Sequence, residues 1–96
     1  MNYEIATKEA SKEQGIDDIC SALEAIGIKA TSAQTGGFTM CAYIELSGDK
    51  YIYANKFGAS LYDADGYEGS IFQYDEPQSA EQIAIDLRNF QSRENN

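Results

Sequence analysis

FTMCAYIEL, residues 38–46, decides the fold of this chain. Phe38, Met40, Ala42, Ile44 and Leu46 alternate with Thr39, Cys41, Tyr43 and Glu45. A period of two marks a strand with one face toward a core. SGDK (47–50) then reads as a hairpin turn into a second strand, YIYAN (51–55). Gly58 separates that strand from ASLY (59–62). DADG (63–66) is another hairpin turn, type I with glycine at the left-handed position, leading to a strand at 70–74. Upstream, Ile28–Ala33 supplies an edge strand before the hinge-like Thr35-Gly36-Gly37. The middle of the chain is therefore an antiparallel meander of four or five strands.

On either side the period changes to 3.6. Ile16, Ile19, Cys20, Leu23 and Ile26 fall on one stripe of a helix spanning about 11–26. Its N-cap is Ser11, which forms a capping box with Gln14, or Thr7. Gly27 ends it, and Ile28 packs back on the stripe as a Schellman motif prefers. Pro77 breaks the chain again, Ser79 and Gln82 form another capping box, and Ala80, Ile83, Ala84, Leu87 and Phe90 mark a helix over about 80–92. The expected fold is α+β, in the order α-β-β-β-β-α or with one more strand, with both helices on one face of the sheet.

If Met40, Ala42, Ile44, Ile52, Ala54 and Leu61 form the covered face, alternation sends Tyr43, Tyr51, Tyr53 and Tyr62 to the other, with Tyr74 beside them. Six of the seven tyrosines lie between Tyr43 and Tyr74. Aromatic residues favour strands, which alone accounts for the enrichment. An open tyrosine face is also rigid, amphipathic contact area for a partner.

The 96 residues suffice for one domain, and 43% hydrophobic with 24% charged residues is ordinary for a folded one. Sixteen acidic against seven basic residues give a net charge of −9, the wrong sign for direct binding to nucleic acid or an anionic membrane. From Phe57 to Leu87 there is no Lys or Arg, while Asp63, Asp65, Glu68, Asp75, Glu76, Glu81 and Asp86 all fall there. Carboxylates in this stretch serve either as a solvated, solubilising face or as a docking patch for a basic groove. No apolar run approaches the roughly eighteen residues of a membrane span, and the start MNYEIATK lacks a basic-then-apolar leader, which points to the cytoplasm.

Catalytic chemistry finds little here. With no histidine, the chain lacks the usual general base and the usual activator of a nucleophile. Cys20 and Cys41 read as two reduced thiols acting as small apolar residues. The DADG turn fails as a calcium loop, because Gly66 at loop position 6 puts Leu61 and Phe72 where acidic ligands belong. Thr35-Gly36-Gly37 lacks the further glycine and lysine of a phosphate loop. The chain is read as a non-enzyme with no metal and no cofactor.

The expected partner is a protein with a basic nucleic-acid-binding surface, met by Asp63, Asp65, Glu68, Asp75 and Glu76 together with Tyr51, Tyr53, Tyr62, Tyr67 and Tyr74. The alternatives are a self-associating module, such as a homodimer through the tyrosine face, and a small-molecule binder or enzyme. In its short length, its charge of −9 and this pairing of carboxylates with tyrosines, the chain resembles the small acidic inhibitors encoded by phages and mobile elements. These include anti-CRISPR and anti-restriction proteins, several of them DNA mimics; immunity proteins against nuclease toxins share the same character. The resemblance implies an inhibitor at work in a host cytoplasm. It rests on general character, and no family's binding residues carry over.

Overall fold

The computed structural model describes residues 12–36 and 39–94. Helix α1 (Ile16–Ala25) leads into β1 (Thr31–Gly36), β2 (Thr39–Glu45), β3 (Tyr51–Asn55), β4 (Gly58–Asp63) and β5 (Gly66–Gln73), and α2 (Ala80–Glu94) closes the chain. The strands form one antiparallel sheet in the order β1-β2-β3-β4-β5, so the α+β meander is as expected and its fifth strand is real.

The edge strand starts at Thr31, because Ile28 and Ala30 just before it are drawn into the core. The helix expected over about 11–26 is interrupted by a turn at Gln14 and Gly15, so that α1 begins at Ile16, the first residue of its stripe. Gly15 takes a left-handed conformation (φ 74°) and caps the helix without a side-chain bond. Gln14 lies in the turn just before α1, and its Oε1 accepts the Met40 N–H at 2.9 Å, tying the helix start to β2, the strand whose pairing with β1 is irregular between Gln34 and Gly36. The expected N-caps, Ser11 and Thr7, lie outside the described residues, as does Phe38 of the second strand. At the other end the Schellman bonds form as read: Ile28 N–H donates to Leu23 O at 2.9 Å and Gly27 N–H to Glu24 O at 3.1 Å.

Half of the second capping box forms. Gln82 N–H donates to Ser79 Oγ at 3.1 Å, worth about 1 kcal/mol to α2. The Gln82 side chain does not reach back; it donates forward to Asp86 Oδ1 at 3.1 Å.

One cluster of buried side chains joins all layers: Ile16, Ile19 and Leu23 of α1, Met40, Ala42 and Ile44 of β2, Ile52 and Ala54 of β3, and Ile83, Ala84 and Leu87 of α2. Membership of both helices with the same strand face puts them side by side on one side of the sheet, as the alternation required. Each fully buried Ile or Leu contributes roughly 1.5–3 kcal/mol of transfer free energy.

Strand β5 begins four residues before the expected Ser70 and ends before Tyr74. Glycines at 66 and 69 and polar residues between them conceal it in the sequence, and two bulges explain how they pair. The first puts Glu68 and Gly69 opposite Leu61, and the second puts Ile71 and Phe72 opposite Ala59. The second bulge lets two consecutive apolar residues, Ile71 and Phe72, both reach the core cluster.

Candidate functional site

The cross-strand register builds two aromatic rows on the side of the sheet away from the helices. One runs Glu45, Tyr51, Tyr62, Tyr67, and the next runs Thr31, Tyr43, Tyr53, Ser60, Ser70. Their rings meet. Tyr51 and Tyr62 stack with centroids 5.4 Å apart and planes 9° from parallel. Tyr53 meets Tyr62 edge-on at 5.1 Å and Tyr51 at 5.3 Å. Tyr43 joins Tyr51 at 5.5 Å, and Tyr62 reaches Tyr67 at 5.5 Å. Offset and edge contacts of this kind add about 0.5–1.5 kcal/mol each beyond burial, so the ladder is a stiff surface. Tyr67 at its end is 63% exposed. Burial, with the neighbouring Tyr51, Cys41, Tyr43 and Tyr62, pushes the Tyr53 phenol up from its ordinary value.

Tyr74 does not extend the ladder. Gln73 pairs with Gly58 on the open side, so Tyr74 follows on the helix side, where its ring packs on Phe72 at 5.3 Å and its hydroxyl donates to Asp86 Oδ2 of α2. Burial and then the Asp86 carboxylate push the Tyr74 phenol well up. Tyr74 and Asp86 therefore serve the packing of β5 on α2.

The carboxylates divide into groups. Lys50, Asp63 and Glu68 adjoin Tyr51, Tyr62 and Tyr67 in sequence, and strand alternation turns them to the opposite face. There Lys50 Nζ lies 3.4 Å from Glu68, and Glu68 lines a groove with Leu61, Phe90 and Arg93. The exposed ion pair is worth at most about 1 kcal/mol. Asp65 stands at the tip of the turn, its N–H donating to Asp63 Oδ1 at 2.8 Å. Asp75 and Glu76 are exposed at the far end of the hairpin, beside the β3–β4 turn, to which Tyr74 N–H and Gln78 N–H are bonded at Phe57 O and Lys56 O. The five residues of strand between the two acidic ends span roughly 16 Å. The tyrosines thus form a single surface, with carboxylates behind one end of it and beyond the other.

Asp63 is held below its ordinary value of 3.8, first by a hydrogen bond that the Glu68 carboxyl donates when protonated, then by the Asp65 N–H, with Gly66 and Lys50 adding to it. A depressed carboxylate stabilises the fold above its unfolded value, and that contribution disappears as pH falls through the folded one. Asp63→Asn keeps the oxygen that accepts the Asp65 N–H and removes the charge. Thermal melts should show wild type above the variant at neutral pH, with the gap closing once the pH drops below 3.8.

Sequence reasoning missed a concavity in the tyrosine face. The ring rows end on small residues at Ser60, Ser70 and Gly58, leaving a slot of about 280 Å³ whose rim includes Tyr53, Tyr62, Tyr67 and Phe57. Phe57 is 47% exposed. The pairing of Ser60 with Ser70 in the tyrosine row is the signal, and it needed the bulged register to be read. On the opposite side of the molecule, a shallow apolar groove of about 850 Å³ runs between α1 and α2, lined by Ala22, Ile26, Ala84 and Ile85.

Neither thiol is poised to react. Burial, with Asp17 and Glu24 nearby, pushes Cys20 up to about 11. Burial raises Cys41 as well, against hydrogen bonds with Thr35 and Asn55, and both cysteines are free. Among the described residues, no group of three His, Cys, Asp or Glu side chains is placed to hold a metal, and no helix is long and apolar enough to cross a membrane. In comparisons with known proteins, the chain matches no family model, no curated protein and no solved structure.

Proposed function

We propose that this protein is a non-catalytic inhibitor that binds another protein, setting its tyrosine face on a basic surface that the partner otherwise uses for nucleic acid. One observation carries the reading: five tyrosine rings, Tyr43, Tyr51, Tyr53, Tyr62 and Tyr67, interlock on the sheet face that neither α1 nor α2 covers. Rings bordered by serines on a rigid support are what protein-binding surfaces use, because tyrosine gives large contact area at small entropy cost. The net charge of −9 supplies the sign, drawing the molecule to a basic surface and away from nucleic acid itself. With Asp63 and Glu68 turned away from the rings, their part is steering, and Asp75 and Glu76 extend the field beyond the other end. This is the character of the anti-CRISPR and anti-restriction inhibitors of phages and mobile elements, and on that reading the site of action is the host cytoplasm.

Capture from host lysate on the immobilised protein, repeated between about 50 and 200 mM salt, tests this. The expected catch is a basic nucleic-acid-binding protein whose retention drops steeply with salt and whose own nucleic-acid binding is lost in the complex. A neutral partner, or retention indifferent to salt, contradicts the reading. Replacing Asp63, Asp65 and Glu68 with Asn, Asn and Gln should slow association about threefold to tenfold at low salt with little change in dissociation. An uncovered ring face is also what a homodimer of sheets would bury, and light scattering on the purified protein separates that case: a strict monomer at micromolar concentration removes it.

A further inference from the structure

The slot in the tyrosine face has a shape and lining that select one kind of side chain. At about 280 Å³ it falls below the usual 300–1,000 Å³ of small-molecule sites, which leaves room for a single large side chain. Aromatic rings of Tyr53, Tyr62, Tyr67 and Phe57 stand around it. Its floor is polar: Ser60 and Ser70 face each other across β4 and β5. The Ser70 hydroxyl donates to Phe72 O at 3.5 Å, leaving its oxygen lone pairs to accept from a visitor.

An apolar visitor would cover the two serine oxygens without giving their lone pairs a donor, whereas a visitor carrying N–H groups would pair them. An anion would enter against a chain of net charge −9, with Asp75 and Glu76 exposed just past Gln73 of the slot. A cation is therefore favoured, and the walls choose between the two kinds. Lysine presents a compact, strongly hydrated ammonium, whereas the guanidinium of arginine is flat, weakly hydrated and able to stack on a ring while its edge donates several hydrogen bonds. Arginine is also among the residues that most often anchor protein interfaces by filling a pocket.

We infer that the slot is the anchor point for the partner and takes one arginine side chain, its guanidinium stacked on Tyr62 and Tyr67 and donating to Ser60 and Ser70. This rests on the basic-surface reading above and narrows it, since a basic surface rich in lysine alone would not fit. The test uses the full chain with capped octa-arginine and octa-lysine peptides, followed by amide NMR titration. Octa-arginine should bind about tenfold more tightly than octa-lysine, with the largest shifts at Ser60, Tyr62, Tyr67 and Ser70. Ser60→Leu fills the slot and should abolish that advantage while leaving octa-lysine binding unchanged. Tyr67→Ala removes an exposed wall without touching the core and should reduce the advantage even if Ser60→Leu perturbs the strand. Equal binding of the two peptides, or an arginine advantage that persists undiminished in both variants, overturns the arginine slot and leaves the basic-surface reading standing. No binding of either peptide overturns both.

Discussion

Gly58→Ala is expected to lower the unfolding free energy by about 3 kcal/mol, more than a single added methyl usually costs. Two effects combine. Gly58 sits at φ 153°, where a side chain is strained by about 1–3 kcal/mol. A Cβ there would also lie 2.5 Å from Phe72 O and 3.0 Å from Gln73 Cα. Both obstacles are backbone atoms, so no rotamer change relieves the contact, and β4 would have to separate from β5 where Gly58 pairs with Gln73. Gly66→Ala is the control. Its φ of 121° is also positive, yet nothing lies within 4 Å of the added atom, so only the conformational strain applies. Urea unfolding should place the Gly58→Ala midpoint well below that of Gly66→Ala. If the two coincide, the close approach of β5 to Gly58 is not rigid, and the floor of the slot is softer than described.

Tyr62→Ala should weaken partner binding by about 30-fold or more, the effect of removing a central interface anchor. Tyr62 links Tyr67 to the rest of the ladder, in contact with Tyr51, Tyr53 and Tyr67 at 5.4, 5.1 and 5.5 Å. Truncating it removes three ring pairs and separates the Tyr67 ring from the Tyr43–Tyr51–Tyr53 cluster, so the contact surface next to the slot loses its fixed shape. The fold itself should lose about 1–3 kcal/mol, because the core on the helix side is untouched. Tyr62→Phe separates the two roles: it retains the ring contacts and stability to within about 1 kcal/mol, and any binding loss then reports the hydroxyl. Titration of the captured partner against wild type and both variants, with circular dichroism on each, measures the whole series.

Much of this was legible in the sequence because it depends on local periods. The stripe of Ile16, Ile19 and Leu23, the Gly27 stop and the Ser79 cap need only a helix and its ends. Alternation from Met40 to Ile44, carried across by the hairpins, separates a covered face from a tyrosine face without further information. What escaped depends on contacts distant in sequence. The Gln14 side chain bonds to Met40, 26 residues away, and no local rule anticipates that bond. Each bulge in β5 repeats a face, so counting by twos fails between Tyr67 and Phe72, and the pairing of Ser60 with Ser70 that floors the slot stays hidden. Neighbours in sequence are also not neighbours on a sheet surface. Asp63 follows Tyr62 and Glu68 follows Tyr67, yet both carboxylates turn to the opposite side, where Lys50 meets Glu68. Tyr74 shares a residue type with the ladder and is claimed instead by Asp86 on α2.

The claim that the tyrosine face is the binding surface is tested most directly by the footprint of the captured partner, read as amide chemical-shift changes across the protein. The expected footprint covers Tyr43, Tyr53, Ser60, Tyr62, Tyr67 and Ser70 and leaves the outer faces of both helices unchanged. Shifts confined to the groove between the helices, at Ala22, Ile26, Ala84 and Ile85, with the tyrosine ladder silent, would contradict it.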